Sequence, residues 1–179
     1  MFKKIWQIII FIIFISFLAV IQFSLISAAP GIFGQINLGL LVLIFTLFFF
    51  GFRASIFLVL LFGFWFDLMT FKFFGFYTIS LFFSALLGYW ILNNWLTNRS
   101  LYSFLALMFI TTVFYNFFSA LLFYFTAPER SFLLGSGDFW LGLGYQLIWN
   151  LLAAILLFNL ATTLIKKLKP FFLEKNTVL

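Results

Sequence analysis

From residue 5 to residue 165 the chain is a succession of apolar runs, each close to the length of a bilayer crossing and separated by short polar breaks. A helix needs about 20 apolar residues to cross the hydrocarbon core. The charge content leaves little else open. Ten cations and four acids are spread over 179 residues, against roughly 25% charged residues in an ordinary soluble domain. A water-facing surface cannot be built from so few, and a mean hydropathy of +1.24 agrees. The chain reads as one all-α integral membrane domain.

The first run covers residues 5–29, interrupted by Gln7, Ser16, Gln22, Ser24 and Ser27 and stopped by Pro30-Gly31. Lys3-Lys4, the apolar stretch and Ser27-Ala28-Ala29 have the look of a secretory signal. The run is longer than the roughly 7–15 residues of a signal core, so a retained anchor is expected. Residues 38–68 as one helix would extend about 46 Å, too long for an untilted span. Two short helices, 37–52 and 54–69, with a tight bend at Gly51-Phe52-Arg53 avoid this. At such a bend Arg53 can reach the head groups, whereas an Arg at mid-membrane costs at least ~2.5–3.5 kcal/mol. Further spans are expected at 74–96, 101–126 and 139–165. Ser100 and Asp138 are suited to cap the last two, and Pro170 is expected to end the sixth.

Six spans in a compact bundle put both termini on one side. Eight cations then share that side: Lys3, Lys4, Arg53, Arg99, Lys166, Lys167, Lys169 and Lys175. Only Lys72 and Arg130 lie opposite. By the positive-inside rule both termini are cytoplasmic. The tail 166–179 reads as an electrostatic anchor on anionic lipid, and residues 128–138 as a solvated external turn.

Little material exists for chemistry. The chain has no Cys and no His, and its acids are Asp67, Glu129, Asp138 and Glu174. Thiolate nucleophiles, disulfides, imidazole bases and the usual metal ligand sets are therefore excluded. No catalytic residue, cofactor site or metal site is expected. The 33 phenylalanines read as drift at lipid-facing positions.

Three helices carry small or polar residues at every fourth position: Ser80, Ser84 and Gly88; Thr112, Asn116 and Ala120; Gln146, Asn150 and Ala154. Helix packing is the expected use, with small residues allowing close approach and amides bonding across helices. A polar cavity between these helices is the alternative. Asp67 is the only acid inside an apolar run. It falls near the outer end of its helix, where the helix dipole disfavours it, so something local must compensate. Lys72 is one candidate partner.

The stretch 58–89 reads LVLLFGFWFDLMTFKFFGFYTISLFFSALLGY, with Gly63, Asp67, Gly75 and Gly88-Tyr89 at fixed spacing. This resembles the rod shape-determining protein MreD family, short bacterial membrane proteins of about six spans. Those typically have Gly-x-x-x-Asp at the end of one span and a Gly entering the next, matched here by Gly63, Asp67 and Gly75. The second span of that family often opens with a Pro beside an acid; here Ile36-Asn37 stands instead. The resemblance implies a multi-pass protein of the bacterial cytoplasmic membrane with a non-enzymatic role in cell elongation. Its implied partners are an MreC-like bitopic protein and, through it, MreB filaments and the peptidoglycan synthases RodA and its penicillin-binding partner. Gly63, Asp67, Gly75 and Gly88 would then be structural or docking residues.

The alternative is the substrate-binding subunit of an energy-coupling-factor-type vitamin transporter. It predicts a ligand cavity lined by residues such as Asn116, Gln146, Asn150 and Asp67, and small-residue motifs on a first helix that is instead bulky. An intramembrane enzyme would need a second acid, a His or a Cys near Asp67, and the sequence offers none.

Overall fold

The computed structural model describes residues 6, 13, 15–26, 34–70, 72–96, 98, 100–126 and 135–173, with side chains through residue 160 except at 25 and 26. Lys3, Lys4, the 27–31 segment, Arg99, the 127–134 connection and the side chains of the basic tail lie outside that set. Among the described residues the chain is all-helical. The helices are α1 (Ile15–Ser24), α2 (Leu38–Phe50), α3 (Phe52–Met69), α4 (Phe76–Asn94), α5 (Leu101–Thr126) and α6 (Gly137–Leu173).

Four of them are long and apolar enough to cross a membrane: α3, α4, α5 and the Gly137–Leu160 part of α6. The protein is membrane-embedded on that ground. The other two are shorter. α1 passes into a π-helical turn over Gln22–Ile26, and α2 has only 13 residues.

The bend expected at residues 51–53 is a single residue. Gly51 has φ 87° and ψ −179°, a region open essentially to glycine alone. Its N–H donates to the Thr46 carbonyl at 3.1 Å, and its own carbonyl accepts from Ser55 N–H at 3.2 Å. One residue thus ends α2 and starts α3. Arg53 is exposed beside it.

α2 occupies the centre. It packs against α3, α4, α5 and α6, and it buries residues on all sides, from Gly39 and Leu40 to Leu47 and Phe48. A helix apolar all round belongs in such an interior. At its Gly51 end Phe48, Phe104 and Phe158 join α2, α5 and α6, with ring centroids 5.1–6.3 Å apart. Phenylalanine is therefore not confined to lipid-facing positions. Phe48, Phe62, Phe76 and Phe104 are among the largest fully buried side chains.

The outside is as apolar as the inside. Leu60, Phe64 and Leu68 form an exposed stripe on α3, and Ile148, Leu152 and Leu156 another on α6. Contiguous apolar surface of this kind needs a non-aqueous neighbour, here lipid. Buried polar residues sit inside, including Ser55, Ser80, Ser84, Thr111, Thr112 and Asn150.

Of three sequence expectations about helix ends, one holds and two need correcting. Ser100 does cap α5, its Oγ accepting from Ser103 N–H at 3.2 Å. The cap of α6 is Ser136 rather than Asp138: Ser136 Oγ accepts from Phe139 N–H at 3.4 Å, while Asp138 lies in the first turn. A hydroxyl one residue before the helix reaches the third amide, and a carboxylate inside the first turn acts on the dipole instead. α6 also continues through Pro170 to Leu173. Proline's fixed φ is a helical value, so the backbone continues, at the cost of one hydrogen bond and a crowded preceding turn.

A candidate site at the broken end of the bundle

α3 and α4 are locked together by the three motif residues. Gly75, at φ 99°, is the residue before α4 and has no side chain to cap it. Asp67, two residues from the end of α3, supplies the cap from the neighbouring helix. Its Oδ1 accepts from Tyr77 N–H at 2.7 Å. Its Oδ2 accepts from Thr78 N–H at 3.3 Å and from Thr78 Oγ1 at 2.6 Å. These amides are the second and third of α4, the ones an N-cap side chain normally serves. The positive end of α4 thereby offsets the unfavourable position of Asp67 at the negative end of α3.

Gly63 makes the approach possible. A Cβ there would stand 2.6 Å from Thr78 Cα, closer than any side chain tolerates. Lys72 is not the partner of Asp67. Its Nζ sits 4.1 Å above the Phe76 ring and 5.2 Å from the Tyr77 ring.

Beside this lock, at the start of α2, lies a polar pocket of about 170 Å³. Its origin is the length of α2. Thirteen residues rise about 20 Å, whereas the 18 residues of α3 rise about 27 Å from the same hinge. The start of α2 therefore falls about 7 Å short of the end of α3, and residues 34–37 pass over it without completing an α-helix. Backbone groups at that depth must find partners inside the protein. Gln22 provides two of them. Its Nε2 donates to the Ile36 carbonyl at 2.8 Å and its Oε1 accepts from Leu38 N–H at 2.7 Å. Asn37 Oδ1 accepts from Leu40 N–H at 3.0 Å, and Asn37 N–H donates to Asn150 Oδ1 at 3.2 Å.

The pocket walls are Gln22, Gln35, Asn37, Tyr77, Tyr115 and Gln146, with Phe23 and Phe66 behind. The Tyr115 hydroxyl stands beside the Asn37 side chain. Gln146 is 7% exposed, and its amide has no hydrogen bond to any described residue. Asn150 is fully buried, and its Nδ2 has no partner. The site therefore presents uncharged donors and acceptors in a confined space.

The sequence-selected residues fall into three places. Gly63, Asp67 and Gly75 form the α3–α4 lock. Gln146 and Asn150 reach the α2 entrance. Ser80, Ser84, Thr112 and Asn116 do neither. Their side chains bond back to their own helices, to the carbonyls of Phe76, Ser80, Met108 and Thr112, at 2.7–2.8 Å. Gly88 sits where α4 presses on α2 and α5, a Cβ there being 2.9 Å from Leu47 Cδ2 and 3.3 Å from Thr111 Cγ2.

Sequence reasoning missed Gln22, Gln35, Asn37, Tyr77 and Tyr115 as site residues. The available signal was Gln22, an amide inside an apolar run that needed a buried partner. No family model matches the chain, and neither a curated protein nor a solved structure is significantly similar to it.

Proposed function

We propose that this chain is a non-enzymatic membrane component of the bacterial cell-elongation machinery, akin to the MreD family, that helps scaffold peptidoglycan synthesis. In this reading it crosses the cytoplasmic membrane six times, the short α1 and α2 included, with both termini in the cytoplasm. Its partners are an MreC-like bitopic protein and, through it, MreB filaments, RodA and the associated penicillin-binding protein.

The observation that supports this is the joint use of Gly63, Asp67 and Gly75. The three positions that carry the resemblance act as one device fixing a helical hairpin. The buried carboxylate is engaged by three hydrogen bonds, so it serves architecture rather than proton transfer. The exposed apolar stripes of α3 and α6 offer surface to lipid or to a partner helix.

The test is purification of the tagged chain from its native membrane in gentle detergent, with mass spectrometry of what accompanies it. Recovery of a bitopic MreC-like protein and cell-wall synthases is the expected result; their absence at native expression overturns the reading.

The polar pocket favours a second reading, the substrate-binding subunit of an energy-coupling-factor-type transporter. Gln146 lines that pocket and Asn150 lies next to it, as a ligand cavity there requires. Asn116 and the carboxylate of Asp67 are engaged elsewhere, which weakens the match. Co-purification of two ATPases with a second membrane subunit would decide for it.

A further inference from the structure

A second cavity, apolar and of about 450 Å³, lies one turn away along α1, α2 and α6, lined by Leu18 of α1, Leu41 and Phe45 of α2, and Ala153, Leu156 and Leu157 of α6. Each helix contributes in the same order. Gln22 is one turn along α1 from Leu18, and Leu38 and Leu41 follow Asn37 on α2. Gln146, Asn150 and Ala153 succeed one another on one face of α6, at the spacing that brings residues above each other. The polar end lies at the level where α3 ends and α4 begins. The apolar end lies deeper, about 10 Å further along α2.

We infer that these two neighbouring cavities together bind a membrane lipid with an uncharged, hydroxyl-rich headgroup, the headgroup in the pocket and an acyl chain in the groove. Four observations carry it. First, polarity falls from the helix ends toward the middle of the bundle, as it does along a lipid from headgroup to chain. Second, Gln146 lines the pocket and makes no hydrogen bond to a described residue, and behind Asn37 the buried Nδ2 of Asn150 has no partner. A polar group shut away without a partner costs about 1–3 kcal/mol, and at Gln146 a ligand hydroxyl in the pocket would supply that partner.

Third, among the described residues no charged side chain lines either cavity. Two of the first amides of α2 that could hold an anion, those of Leu38 and Leu40, are already taken by Gln22 and Asn37. Amides and phenols both donate and accept, which matches hydroxyl groups; a phosphate would use only the donors and bring a charge that no described lining residue neutralises. Fourth, the pocket volume of about 170 Å³ is close to that of a cavity known to admit one six-membered ring, so one sugar ring is the fitting size.

Native mass spectrometry of the detergent-purified chain tests this with three probes: monoglucosyl diacylglycerol, phosphatidylglycerol of the same acyl chains, and free glucose. The glycolipid should be retained about tenfold more tightly than the phospholipid, the equivalent of one lost buried hydrogen bond. Free glucose should not be retained. Gln146→Leu should abolish the preference, and Ala153→Phe, which fills the groove, should weaken retention of both lipids. Equal retention of the two lipids overturns the proposal. Glucose held as tightly as the glycolipid also overturns it and identifies the pocket as a soluble-ligand site. If Gln146→Leu melts or aggregates, the three wild-type measurements and Ala153→Phe still decide.

Discussion

Asp67 shows how one side chain can be badly placed in its own helix and well placed in the next. At the end of α3 a carboxylate meets the negative pole of the dipole. Facing the first amides of α4 it meets the positive pole and satisfies two N–H groups that Gly75 cannot serve. Replacement with Ala leaves those buried amides open and should lower stability by about 2–3 kcal/mol. Asp67→Asn keeps a neutral acceptor and should cost about half as much. Thermal unfolding of the two variants in detergent, followed by circular dichroism, checks the order. Equal losses would mean that a neutral acceptor contributes nothing there and that the charge is essential. From sequence, the misplacement of Asp67 was visible but its remedy was not. Lys72 was the nearest cation along the chain, whereas the amides of Tyr77 and Thr78 approach only because Gly63 lets two helices touch.

At the scale of elements, the joint between α2 and α3 was legible and the entrance to α2 was not. The apolar run was too long to be one span, and Arg53 marked where the chain had to return to polar surroundings. Both are local facts, and Gly51 supplies the only residue type that adopts the required backbone. Gly51→Ala is expected to cost about 1–3 kcal/mol through backbone strain alone, since no atom lies within 4 Å of the added Cβ. Chemical denaturation in mixed micelles measures it, and a loss within error of zero would show that the joint relaxes freely. The entrance depends instead on distant partners. Asn150 meets Asn37 across 113 positions, and no periodicity within either helix announces that meeting. The regular polar stripes also misled in one respect. Ser80, Ser84, Thr112 and Asn116 satisfy themselves on their own helices, so their contribution to helix contact is their small size and not a bond.

At the scale of the molecule, the proposed six crossings place both termini on the side of Arg53, opposite Lys72. A phosphatase or fluorescent-protein reporter fused at each end should report the cytoplasm in both cases; a single periplasmic terminus would remove one crossing. The short central helix makes this test informative. α2 spans less than a hydrocarbon core, and it is tolerated because its neighbours surround it and because Gln22, Asn37 and Asn150 satisfy the backbone that it leaves unfinished.

The sequence by itself determined that the chain is helical and membrane-embedded, where most of its helices begin and end, and that Gly51 breaks a run. Those outcomes follow from local apolarity, helix rise and the few residues that stop a helix. Only the tertiary structure decided that Asp67 caps a helix to which it does not belong, and that a helix of 13 residues lies at the centre. It likewise decided that polar groups from four helices and the 34–37 segment meet at one pocket. The physical reason is that each of these depends on which faces of separate helices touch. With apolar residues on every side of most helices, the pattern along the chain does not specify a face; close packing and the need to satisfy buried backbone do.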